Sequence, residues 1–172
     1  MIKCNTDGSL ERYKARLVGK SFTQTYRIDY QETFAPIAKI NSIIILLSLA
    51  VNSDWPLHQL DVKNAFLIGD LKEEVFMSLP LGIEKRHSSD KVCRLKKSLY
   101  GLKPSPRAWF EHFGKAIISY DFLQSQVYHT IFYKHLKDGK ITILIVYVND
   151  IILTGDDETE LATLKKRFAK KF

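Results

Sequence analysis

The chain has 172 residues, enough for one ordinary core, and its 45% hydrophobic and 26% charged residues are those of a soluble globular domain, not a disordered or fibrous one. Its 26 Lys and Arg against 19 acids leave a charge of +7, which fits a polyanion such as nucleic acid without requiring one. Cys4 and Cys93 stand far apart with no His or Cys at ligand spacing, which argues against a disulfide framework or a zinc site.

At the N-terminus no basic start followed by an apolar stretch marks a signal peptide. With the cysteine usage, this predicts an intracellular protein, cytoplasmic or nuclear, and not secreted. Asp7-Gly8 is a turn signal, and the alternation from Arg12 to Val18 predicts a hairpin strand with Arg12, Lys14 and Arg16 on one face. Asn41 and Ser42 can cap a helix whose body, Ile43 to Val51, is apolar nearly all round, so a buried helix is expected. That run is too short to span a bilayer, and no membrane partner is expected.

Trp55-Pro56 breaks the helix, and Leu57 to Val62 reads as a short strand. Gly69-Asp70 turns into a strand from Glu74 to Leu79, with Val75, Met77 and Leu79 on one face; Pro80 to Asp90 reads as loop. Ser105-Pro106 predicts a helix start, a capping hydroxyl followed by proline at the first helical position, running to about Tyr120 with Trp109, Phe113, Ala116 and Ile117 inward. Thr130 to Lys134 and Lys140 to Val148 are strands joined at Asp138-Gly139, and Asn149-Asp150 separates two apolar runs as the tip of a tight hairpin. The last helix starts near Asp156, with acids in its first turns and Lys165, Lys166, Arg167, Lys170 and Lys171 in its last, as the helix dipole favours. The chain stops directly after this helix with no strand to follow, which reads as a piece of a longer protein. Helices mixed with antiparallel hairpins define the fold class as α+β in a single domain.

Two carboxylates stand out, Asp61 at a strand end and Asp150 beside Asn149 at a hairpin tip. Brought together, they would offer hard oxygen ligands for the paired cations of nucleotidyl transfer. The plainer reading is that Asn-Asp is a turn dipeptide, since both residues tolerate positive φ, and spacing alone favours it.

Six blocks in order shift that balance. They are ERYKARLVGKSFTQ (Glu11 to Gln24), DYQETFAPIAK (Asp29 to Lys39), WPLHQLDVKNAFLIGDLKEEVFM (Trp55 to Met77), VCRLKKSLYGLKPSPRAWF (Val92 to Phe110), HTIFYKH (His129 to His135) and ILIVYVNDIILTGDD (Ile143 to Asp157). Jointly they resemble the reverse transcriptase of copia-type retrotransposons over nearly the whole chain. The resemblance implies a fingers-and-palm fold, a small antiparallel sheet backed by helices, with residues 1–40 in the fingers, 41–172 mixed fingers and palm, and the thumb absent. It implies a part of a Pol polyprotein, an RNA template, a DNA primer and dNTP as partners, and two Mg²⁺ as cofactor.

On this resemblance Asp61 and Asp150 are catalytic metal ligands, and Asn149 stands where the family carries the other aspartate of a pair. Phe66 matches the bulky residue beneath the incoming sugar, although aromatics are more often core. Lys14, Arg16 and Lys20 would contact triphosphate or template, or else form a solvated strand face. Tyr100 and Gly101 would line the nucleotide pocket, and Lys96, Lys97, Lys103 and Arg107 would meet phosphates. Ser21, Pro104 and Tyr128 depart from the usual residues, and with Asn149 they imply drift in an inactive copy. The rival reading is a non-catalytic nucleic-acid-binding module, for which Tyr133, Tyr147 and Phe132 are candidate stacking residues, with Tyr147 expected to be packed. A third is a translated relic without function.

Overall fold

The computed structural model describes residues 2–13, 17–31, 33, 35, 37–79 and 91–172. Its centre is an antiparallel sheet of five strands in the order β3-β9-β8-β7-β6. These are β3 (Leu57–Asp61), β6 (Leu123–Gln124), β7 (Ile131–His135), β8 (Ile141–Tyr147) and β9 (Asp150–Gly155). The two longest strands carry the apolar runs 143–146 and 151–153, which are buried or half-buried on both faces, where a half-exposed sheet would alternate.

One face carries Phe132, Leu144, Val146, Ile151 and Leu153, all buried beneath α3 (Ser105–Ile118) and α4 (Glu158–Lys171). Phe113 sits at the centre of this layer, fully buried, with the rings of Trp109, Phe132, Phe168 and Phe172 at centroid distances of 5.5, 6.1, 6.0 and 5.6 Å. The opposite face presents Ile145, with Ile131, Ile143 and Ile152, to Ala38 and to Leu46 of α1 (Ile40–Asn52). The result is α+β, as expected: a small antiparallel sheet between helical layers.

Two smaller sheets flank it. β1 (Ile2–Cys4) and β2 (Leu10–Tyr13) form the expected N-terminal hairpin. Its turn is held by Asp7, which accepts from the Ser9 amide and hydroxyl at 2.9 and 2.6 Å. β4 (Phe76–Ser78) pairs with β5 (Val92–Arg94), and Val75, Met77 and Leu79 face inward as their alternation indicates. The expected loop from Pro80 to Asp90 lies outside the described residues.

Three local expectations are corrected. α1 begins at Ile40 with no side-chain cap, so Asn41 and Ser42 are inside the helix. Only Leu46 and Ala50 of α1 are buried, while Ile44, Ile45, Leu49 and Val51 are exposed. The sheet offers this helix a single contact stripe, and an all-apolar surface exceeds it. At α3 the cap residue is Pro104, and the Ser105 hydroxyl donates to the Leu99 carbonyl at 2.6 Å instead of capping. A buried hydroxyl takes the acceptor that packing presents. α4 is capped as its sequence implies, with Asp157 accepting from the amides of Thr159 and Glu160.

Candidate functional site

Strand register brings the two singled-out carboxylates together. Asp61, the last residue of β3, is the cross-strand partner of Asp150, the first residue of β9. Direct partners in an antiparallel pair have Cβ atoms about 4.5–5.5 Å apart on one face. The pairing is closed at its end by the Val62 amide, which donates to the Asn149 carbonyl at 2.9 Å.

The hairpin tip differs from the expected one. β8 and β9 pair through Tyr147 and Asp150, so the two turn residues are Val148 and Asn149, and Asp150 already belongs to the strand. The positive φ falls on Val148, at 59°, and not on Asn149. Positive φ at the first turn residue alone is the pattern of a type II′ turn, which favours glycine there. A β-branched residue in that region costs on the order of 1–3 kcal/mol and persists only where its surroundings over-determine it. The buried indole of Trp109 supplies part of that, donating from Nε1 to the Val148 carbonyl at 2.7 Å.

Each carboxylate is met by an amide. Asn149 Nδ2 donates to Asp61 Oδ1 at 2.5 Å, and Gln59 Nε2 donates to Asp150 Oδ1 at 3.1 Å. Since an ionised carboxylate only accepts, the N–H side of Asn149 must face Asp61. Neither Gln59 nor Trp109 is marked as a site residue by the sequence motifs. Gln59 had a usable signal, since it lies two residues before Asp61 and therefore on the same strand face. Helical spacing marks Trp109 only as a core residue.

The remaining residues fall around this centre. Phe66, on the short helix α2 (Ala65–Ile68), is half-buried and meets Tyr100 edge-on at 5.5 Å between centroids. The Ser98 hydroxyl donates to the Phe66 carbonyl. Phe66, Trp109, Phe110, Val146 and Val148 border an apolar cavity of about 580 Å³ next to the turn.

Tyr100 and Gly101 form a joint with the N-terminal segment. The Gly19 amide donates to the Tyr100 carbonyl at 2.7 Å. Gly101 has φ of 84°, and a Cβ there would stand 2.5 Å from the Gly19 carbonyl oxygen. The close approach that a glycine permits is made here by the chain's own backbone. Lys20 is exposed next to this joint, whereas Lys14 and Arg16 lie outside the described residues.

Lys96 and Lys103 are exposed, and Lys97 Nζ donates to the Ile68 carbonyl at 3.4 Å. Arg107 is less open, for its Nε pairs with Glu111 at 3.0 Å, and Lys72 meets the same carboxylate at 2.5 Å. Partial burial pushes the Glu111 carboxyl up, but hydrogen bonds and charge from Lys72 and Arg107 outweigh it and hold the group below its ordinary range. Among the stacking candidates Phe132 is fully buried, and Tyr147 is 45% exposed instead of packed. It lies at the strand end beside the turn.

The chain whose strand ends pair Asp61 with Asp150 in this way matches the reverse transcriptase (RNA-dependent DNA polymerase) family model over residues 2–172. The chain belongs to that family, as its motifs indicated. It is 44% identical to the retrovirus-related Pol polyprotein from transposon RE2 and 45% to that from transposon RE1, both of Arabidopsis thaliana, over 98% of its length. It is 42% identical to the retrovirus-related Pol polyprotein from transposon TNT 1-94 of Nicotiana tabacum over 99% of its length. It spans only 12–13% of the length of these relatives. No solved structure matches the chain significantly. Among the described residues no helix is long and apolar enough to cross a membrane.

Proposed function

We propose that the chain is the fingers-and-palm part of an RNA-directed DNA polymerase, one domain, in a copy that no longer catalyses. The observation that carries the reading is the in-register pairing of Asp61 with Asp150 at one end of the sheet, next to the turn whose Val148 lines a cavity with Phe66. Residues up to about 40 belong to the fingers, and the five-stranded sheet with its helices forms the palm. The inherited reaction is attack of a primer 3′-hydroxyl on the α-phosphate of a dNTP, templated by RNA. Phe66 would lie beneath the incoming sugar and exclude a 2′-hydroxyl by volume. Lys20, Lys96, Lys97 and Lys103, with Lys14, Arg16 and Arg107, would neutralise phosphates, and Tyr100 and Gly101 would hold fingers to palm where the nucleotide enters.

The donor set does not fit the Mg²⁺ pair of the family. Among the described residues no group of three His, Cys, Asp or Glu gathers. The third position, Asn149, turns N–H donors toward Asp61. A hard cation that sheds water reluctantly gains little from a neutral amide, and nothing from its donor side. Template and primer would therefore bind without turnover. Binding as the whole present function is the second reading, favoured by the exposed ring of Tyr147 beside the turn.

A primer–template hybrid carrying a photo-crosslinker on its 3′-terminal nucleotide tests the placement. Crosslinks on residues 147–150 and on Phe66 are expected. Labelling confined to the basic outer face of α4 would overturn it.

A further inference from the structure

We propose that Trp109 is a positioning residue for the hairpin tip: its indole N–H selects the orientation of the Val148–Asn149 peptide and so sets Asn149 and Asp150 against Asp61. The proposal rests on the reading of that tip as the active-site end.

The two tight turns open to a two-residue hairpin, types I′ and II′, differ by a flip of the central peptide. Here that is the peptide whose carbonyl belongs to Val148. In type I′ both central residues need positive φ, and in type II′ only the first does. Val148 has φ of 59° and Asn149 is not in the positive region, so the chain holds the II′ pattern with valine in the position that glycine favours. The flip coordinate is the direction of the Val148 carbonyl, and that is the group Trp109 Nε1 binds at 2.7 Å.

Trp109 is well placed to impose this choice. It is 1% exposed, and its ring packs against Phe113 and Phe172 at 5.5 Å each. A buried indole N–H needs an acceptor, and the turn carbonyl is the one it has. The orientation is passed on at once. With the carbonyl held, Asn149 directs its own carbonyl to the Val62 amide and its side chain to Asp61. A flipped peptide would turn Asn149 away and release both. The Trp109–Val148 hydrogen bond thus links α3 to the turn that carries Asn149 and Asp150.

Hydrogen exchange of the Val62 amide reports the tip directly, since its partner is the Asn149 carbonyl. Trp109→Phe keeps the ring and removes only the N–H. It should speed Val62 exchange about five- to tenfold, the loss of roughly one buried hydrogen bond, with the core amides of β8 and β9 unchanged. Adding Val148→Gly, which takes positive φ freely, should return Val62 to within about threefold of the unmodified chain, because glycine favours the II′ turn without the indole. An unchanged Val62 rate in Trp109→Phe would overturn the proposal. So would an equal acceleration across the whole sheet, or an effect that Val148→Gly leaves undiminished. Neither metal nor turnover enters this measurement, so a failed polymerase test and a failed test of Trp109 are separate results.

Discussion

Asn149 donates its side-chain N–H to Asp61 across the end of the sheet, over 2.5 Å, where family resemblance places a second carboxylate. The bond ties the turn to β3 through a neutral group, a contact that an ionised aspartate in that position could not make.

Replacing that donor should therefore cost stability. In Asn149→Asp three carboxylates meet at one strand end, and a charge-assisted hydrogen bond becomes a repulsion. At an exposed site the loss should be about 1–2 kcal/mol, a few degrees in Tm for a chain of this size. Millimolar Mn²⁺ or Mg²⁺ should restore the melting temperature of Asn149→Asp and leave the unmodified chain where it was. Melting curves with chelator and with metal check both halves.

Gly101→Ala should be more damaging than an exposed surface change usually is. The φ of 84° disfavours any side chain, and the new Cβ would press on the Gly19 carbonyl. The relief available is to part residues 18–19 from 100–101, which breaks the Gly19–Tyr100 hydrogen bond. A loss of about 2 kcal/mol or more is expected. Proteolysis should open the chain before Lys39 ahead of the central sheet.

The acid limb of stability should depend on Asp157. Backbone hydrogen bonding from Glu160 leads the causes that hold its carboxyl below the ordinary 3.8, outweighing desolvation, with Lys140 and Thr159 adding to it. A depressed folded-state value means that the contribution is present above the unfolded value and is lost as pH falls below about 3.8 toward the folded one. Asp157→Asn keeps a capping oxygen but does not titrate. Its melting temperature should fall less steeply below that pH than that of the unmodified chain.

Exposed apolar residues on α1 should make the chain self-associate. Ile45→Lys should reduce association in sedimentation velocity without unfolding the chain, whereas Leu46→Lys, one residue on and buried, should abolish the fold. A monodisperse monomer of the unmodified chain would contradict this. Nucleic-acid affinity should fall with salt at a log–log slope of roughly −0.9 per phosphate neutralised. Lys96→Glu with Lys97→Glu should flatten that slope.

Much of the fold is legible in the sequence. Strand positions follow from alternation and turn residues, and the Asp61–Asp150 encounter follows from the resemblance, whereas spacing alone favours an ordinary turn. What escaped was set by tertiary context. Composition shows that α1 is apolar all round but not how little of it the sheet covers. The positive φ passed over Asn149, which tolerates it, to Val148, because an indole from another element holds that carbonyl. Gln59 and Trp109 act by hydrogen bonds across 91 and 39 residues of sequence, and no local pattern encodes such separations.

Primer extension on an RNA template with Mg²⁺ tests the central claim most directly, comparing the unmodified chain with Asn149→Asp, each fused to a complete copia-type thumb. Removing one preorganised electrostatic group costs on the order of 10²–10³ in rate in other active sites, and a lost metal ligand should cost at least as much. Extension by Asn149→Asp alone is the expected result and locates the lesion at one residue. Robust extension by the unmodified chain would show that Asn149 does not disable the site.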